Sequence, residues 1–390
     1  MMNSPNQTPA SLATTVSIGK SRSRSAIHVV LAITAILIAL LLGLIVLLLI
    51  GVETGPVALL IGLVAATLPV PLYVILVLWI DRYESEPLWM LLTAFFWGAL
   101  VAVFFAFLIN TASGVIVYAL TDSLEAGEAF GAVISAPIVE ECAKAVILFM
   151  FFFAKKDEFD GVVDGIVYAS MVGLGFAMTE NIQYYGRAAL QGGGGGLTVI
   201  FIIRGMMAPF SHPLFTSMVG IGLGLARQSH NTLVKIAAPI VGLLGAISLH
   251  AIWNGSAVMG GGLVFILTYF GIMVPAFFIM ILVIFLALRR EGRTVREFLL
   301  ADLNGGFLTP EEYNQLCTVR GRMGASYNAF SRGGVGSWRA CMQFNQMASE
   351  LAFHRSRVAR GILLRGEAPE DREAAYQRAL LDLQKILRLS

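Results

Sequence analysis

Apolar runs long enough to cross a bilayer alternate with short polar loops through the first three quarters of the chain. They lie at about 26–50, 57–80, 89–118, 131–154, 161–185, 197–226, 235–258 and 263–288. About 20 residues at roughly 1.5 Å rise match a hydrocarbon core of about 30 Å, so each run predicts one membrane helix, eight in all. The first is too long for an ordinary secretory leader and no small-residue cleavage site follows it, so it is expected to stay attached. The third is unusually long and is expected to tilt or break near Asn110 to Gly114. Residues 1–26, rich in Ser, Thr and Asn without apolar periodicity, read as a disordered cytoplasmic tail.

After Arg290 the pattern becomes that of a soluble segment. Thr309-Pro310-Glu311-Glu312 is a helix start with Thr309 as N-cap and Glu312 reaching back. Gly305 and Gly306 stop the helix before it, and Pro369 opens the last one. The expected fold is all-α: a polytopic membrane bundle of about eight transmembrane helices with a small helical cytoplasmic C-terminal region. The expected divisions are a tail at 1–26, a membrane domain at 27–289 and the C-terminal region at 290–390.

Loop charges orient the bundle. Lys20, Arg22, Arg24, Arg82, Lys155, Lys156, Arg227, Lys235, Arg289 and Arg290 fall on one side, and the other carries only Arg187 among acidic residues. The positive-inside rule then places both termini in the cytoplasm. By composition, Asp81 to Pro87 reads as a solvated turn on that side, and Gly192 to Gly196 as a flexible outer linker without a nucleotide motif.

Composition agrees with the membrane pattern: 57% of residues are hydrophobic, 13% are charged, and the mean hydropathy is +0.77. A net charge of +2 without a basic, aromatic-interleaved surface gives no indication of nucleic acid. The odd set Cys142, Cys317 and Cys341 fits reduced thiols rather than a disulfide framework.

Against this background the fourth run stands out, because Glu140, Glu141 and Lys144 interrupt it. An acidic side chain near the centre of a span costs about 2.5–3.5 kcal/mol, so such residues are functional by default. Lys144 lies one turn after Glu140 and can offset its charge, whereas Glu141 needs another partner. Asp164, Glu180 and Asn181 sit in the fifth run, Arg204 and His212 in the sixth, His250 and Asn254 in the seventh. At 1.5 Å per residue from the cytoplasmic ends, Glu140 and His212 lie roughly 21 Å deep, His250 roughly 25 Å and Glu180 roughly 25–30 Å. Four ionisable residues from four helices therefore share one layer, displaced outward. Asp164 reads as a cap and Arg204 as a pairing charge.

A carboxylate in low dielectric can accept a proton from water, and imidazole or carboxamide donors can stabilise an oxyanion. Glutamate base, water and His/Asn donors make a peptide hydrolase. Neither a Ser nor a Cys nucleophile stands out, since Cys142 and Glu141 are adjacent on a helix and do not face each other. A metal held by Glu140, Glu180, His212 and His250 ranks second, for want of a chelating spacing, so no cofactor is expected, with zinc as the second choice. A proton-coupled transporter could use the same residues as a relay, and a scaffold would not need them.

Glu140-Glu141-x-x-Lys144, Asp160-Gly161-x-x-Asp164-Gly165-Ile166-Val167-Tyr168, Gly175-Phe176-Ala177-x-x-Glu180-Asn181, His212-x-x-Phe215 and His250-x-x-x-Asn254, with Asp81 to Pro87, resemble the PrsW family of membrane proteases. That family in turn resembles the CAAX-prenyl endopeptidase and bacteriocin-processing superfamily. The resemblance implies glutamate-dependent cleavage of membrane-anchored proteins, including anti-sigma factors cut on their outer side, in a bacterial inner membrane. It also implies that one of Glu140 and Glu141 activates water and that His250 and Asn254 hold the oxyanion. Glu180 stands where the superfamily has a histidine, which leaves its role open between base, water positioner and ligand.

Overall fold

A computed structural model describes residues 26–259, 261–361 and 368–389; the expected tail before Ala26 lies outside them. Among the described residues all regular structure is helical. The described residues divide into two compact units, one of residues 32–291 and one of the described residues before 32 and after 291.

In the first unit, α1 (Ala26–Thr54) is followed by α2 (Pro56–Thr67) and α3 (Val70–Ile80). Next come α4 (Leu88–Phe96), α5 (Val103–Thr121), α6 (Leu124–Phe130) and α7 (Ala136–Ala154). They are followed by α8 (Val162–Ile200), α9 (Ser211–Gln228), α10 (Thr232–Met259), α11 (Gly261–Thr268) and α12 (Val274–Phe298). Among the described residues six helical stretches are long and apolar enough to cross a membrane, one of them Val162–Gln228 as a single stretch of 67 residues. The helix around Glu140 is not one of the six, because its three charges interrupt it.

The long third run does not break at Asn110 to Gly114, where α5 is continuous. Its irregularity comes earlier, in π-helical turns at Trp97–Ala102. There Gly98 meets α8 so closely that an added Cβ would lie 2.0 Å from Val172 O, and Trp97 Nε1 donates to Ala143 O at 2.9 Å. Close backbone approach sets the bulge, as is common for such turns. The five-glycine stretch is helical on both sides of a kink at Gly193, whose φ of 56° is open to glycine.

The core of this unit is α8. It is buried over most of Val162 to Gly186 and touches α2, α4 and α9. Gly165 and Gly220 let α8 and α9 meet backbone to backbone, since a Cβ on either would fall within about 2.1 Å of the other's carbonyl oxygen. Such contact is what small residues give membrane helices.

The loop at Asp81 to Pro87 is not a solvated turn. Asp81, Tyr83 and Glu86 are buried: Asp81 accepts from Glu86 N at 2.7 Å, and Tyr168 O–H donates to Glu86. Desolvation pushes the Asp81 carboxyl up to about 7, opposed by the Glu86 N–H and helped by the Asp164 charge. Polar composition alone missed this because the burial comes from α8.

In the second unit α13 (Leu300–Asn304), α14 (Pro310–Leu316), α15 (Val319–Ala359) and α16 (Pro369–Leu389) pack around Phe344, Leu351 and Leu380. Thr309 and Glu312 form the expected capping box, and Gly306 ends the preceding turn at φ 75°. α15 folds back on itself at Gly334, so that Gln315 on α14 reaches Asn345 at 2.9 Å and Arg322 bonds Ser349.

Candidate active site

Four helices converge on one buried cluster. α7 supplies Glu140, Glu141 and Lys144, α8 Glu180, α9 His212 and α10 His250. Lys144 is wholly buried, and its Nζ lies 2.8 Å from Glu141 Oε1, 3.6 Å from Glu140 Oε2 and 3.0 Å from His212 Nδ1. The Phe176 ring centroid lies 3.9 Å from it. Helical spacing alone put Lys144 against Glu140. The structure moves it toward Glu141, since i,i+3 and i,i+4 positions are both in reach.

Glu141 is fully engaged. Besides Lys144, it accepts from Thr216 Oγ1 at 2.9 Å and from His250 Nδ1 at 3.0 Å. Glu140 differs. Asn110 Nδ2 lies 3.4 Å from its Oε1, while its Oε2 is buried without a hydrogen-bond partner.

Proton positions follow from these contacts. An ammonium only donates, so His212 Nδ1 accepts and its Nε2 donates to Glu180 Oε2 at 2.9 Å. A carboxylate only accepts, so His250 Nδ1 donates to Glu141. In the neutral ring, His250 Nε2 is then a lone pair, and it faces Glu140 Oε2 at 3.8 Å. Two acceptors facing each other at that distance suit a shared donor or a cation. Phe215 stacks on His250 at 5.1 Å and fixes its plane.

Glu180 is paired with Arg204, which also donates to Asn181 Oδ1 at 2.6 Å and lies over Tyr184. Asp164 does not join the cluster: it caps α8, accepting from Asp160 N and Gly161 N. Among the described residues Asn254 makes no hydrogen bond to the cluster, and one N–H of its amide goes to Ala132 O at 2.9 Å. Asn110, Ser135 and Thr216 were not anticipated. Thr216 carried a signal, one turn after His212, whereas Asn110 and Ser135 look like ordinary polar residues in apolar runs.

A cavity of about 430 Å³ reaches Glu140 and Glu180 between α1, α5, α6 and α8, past Asn110 and Thr179 to Glu128 and Arg187. Glu140, His212 and His250 offer ligand atoms all within 4.8 Å of one another. Two imidazoles and a carboxylate match the donor set of hydrolytic zinc sites, and the unpartnered Glu140 oxygen facing His250 Nε2 fits the same ion. The three cysteines are free thiols, with Cys142 exposed on the face of α7 away from this cluster.

Comparison with known proteins bears on this arrangement. The chain is 34% identical over 149 residues to Protease PrsW of Geobacillus kaustophilus, covering 38% of this chain and 58% of that relative. It is 33% identical over 171 residues to Protease PrsW of Oceanobacillus iheyensis, 44% of this chain and 71% of that one. A third match, to Protease PrsW of Bacillus subtilis, is 33% identical over 150 residues, 38% of this chain and 61% of the relative. No solved structure matches the chain significantly. The model of the PrsW family of intramembrane metalloproteases matches residues 86–284, about half the chain and the whole of the converging cluster, and the chain belongs to that family.

Proposed function

We propose that this protein is an intramembrane endopeptidase that hydrolyses peptide bonds of membrane-anchored proteins near the outer face. The observation that carries it is the facing pair of acceptors, Glu140 Oε2 and His250 Nε2, at 3.8 Å, with Glu140 lining a cavity of about 430 Å³. A water donating to both is held with its oxygen free to attack. Glu140 takes its proton, because Glu141 is already saturated by Lys144, Thr216 and His250. Glu141 orients His250, and Glu180 orients His212. Lys144 offsets the negative charge of the α7 pair. The family resemblance adds anti-sigma factors as a substrate class and a bacterial inner membrane, with both termini cytoplasmic, as the location.

The donor set favours a second form of the same reading. Glu140, His250 through Nε2, and His212 through Nδ1 once Lys144 releases that nitrogen, would hold zinc, which would supply a bound water of near-neutral pKa. In that form Glu141 and Glu180 keep their positioning roles on the two imidazoles.

Full-length protein reconstituted with single-pass reporter proteins should generate new termini, and Glu140→Gln should lower the rate about 10²–10⁴-fold. Loss of activity in a strong chelator, restored by zinc, selects the metal form. Solute flux without cleavage would instead establish a transporter.

A further inference from the structure

Peptide hydrolysis needs a donor aimed at the carbonyl oxygen as it becomes an oxyanion. Asn254 does not line the cavity, and one of its two amide N–H groups is held by Ala132 O. Lys144 is fully enclosed. Asn110 is placed differently. It lines the cavity on α5, half-buried, next to Glu140.

Its orientation is set from behind. Ser135 Oγ donates to Asn110 Oδ1 at 2.8 Å, and Ser113 Oγ lies 2.9 Å from Ser135 Oγ. With Oδ1 held there, Nδ2 turns toward Glu140, where its contact to Oε1 is long at 3.4 Å. A weakly held N–H beside the base can transfer to a stronger acceptor, and an oxyanion is one.

We propose that Asn110 is the amide that binds the substrate carbonyl and stabilises its oxyanion, with Ser135 and Ser113 as positioning residues. This rests on the protease reading. As water adds, the carbonyl carbon gains the water oxygen, its π pair moves onto the carbonyl oxygen, and Glu140 takes the proton. Asn110 donates a hydrogen bond to that oxygen and transfers nothing. When the C–N bond breaks, the pair returns and the amine leaves with the proton from the acid.

The test uses full-length protein and one single-pass reporter, with kcat and KM measured alongside the thermal midpoint. Asn110→Ala should lower kcat about 10²–10³-fold with KM changed less than about threefold. Asn110→Asp is isosteric, keeps an acceptor for Ser135 and lacks the donor, so it should lose at least as much kcat even if the alanine variant folds poorly. Ser135→Ala should lose about tenfold. Asn254→Ala should lower the thermal midpoint, with a smaller loss of kcat than Asn110→Ala. Wild-type kcat in folded Asn110→Asp, or a loss confined to KM, would overturn the assignment while leaving the protease reading intact. A wild-type chain that releases no new termini would sink both.

Discussion

At the scale of single residues, the two adjacent glutamates have different surroundings and should fail differently. Glu141 shares a fully buried site with Lys144, and breaking a buried pair costs about 3–5 kcal/mol. Glu141→Gln is therefore expected to lower the thermal midpoint sharply, while Glu140→Gln leaves it near wild type and removes activity. Equal thermal midpoints would show that Lys144 leans on Glu140 after all. Asp81, in the loop between α3 and α4, gives a pH dependence. Its folded pKa of about 7 lies above the ordinary carboxylate value of 3.8, so between these values the folded state binds the extra proton. Its contribution therefore favours folding below about pH 4 and is lost as pH rises to about 7. Asp81→Asn, which can still accept from Glu86 N, should flatten that part of a plot of thermal midpoint against pH.

Individual residues also show what could be read without coordinates. Charges inside apolar runs announce themselves, so Glu140, Glu141, Glu180, His212 and His250 were visible from the sequence. Which glutamate Lys144 prefers was not, because both lie within one turn of it. Asn110 and Thr216 stayed hidden because an amide or hydroxyl in a membrane helix usually serves packing. Asp81 and Glu86 were read as solvated because burial by a neighbouring helix leaves no trace in local composition.

At the scale of elements, the cluster depends on how closely α8 and α9 approach. His212 and Thr216 on α9 meet Glu180 and Glu141 only while Gly220 rests on Gly165. Gly220→Ala would put a methyl 2.0 Å from Gly165 O, and neither backbone can yield without moving a helix. The expected cost is about 1–3 kcal/mol, with activity falling further than stability as His212 shifts. Normal activity and thermal midpoint in this variant would mean that the helices separate freely. The pattern of runs identified these helices well but mislocated their irregularities. Asn110 to Gly114 looked weak by composition, yet the π-helical turns fall at Trp97–Ala102, where tertiary contact rather than local propensity decides.

For the whole molecule, topology is the direct check on the loop charges. Reporter fusions after Glu125 and Gly194 are expected on the outer side, and fusions after Lys156 and Arg290 on the inner side. A reversed result at any of the four would invert the layer in which the glutamates lie. The buried charges of α7 also bear on biogenesis. Its nine Leu, Ile, Val and Phe side chains favour insertion by about 3–5 kcal/mol, whereas three charges oppose it by roughly 7–10 kcal/mol. Leaving the ribosome alone, this helix should not stay in lipid. It must wait at the translocon until Thr216 and His250, synthesised later, arrive to hydrogen-bond Glu141. A chain truncated after Gly161 should leave the segment unintegrated and quickly degraded, while one ending after Gly255 should integrate it, as followed by cysteine labelling across the membrane.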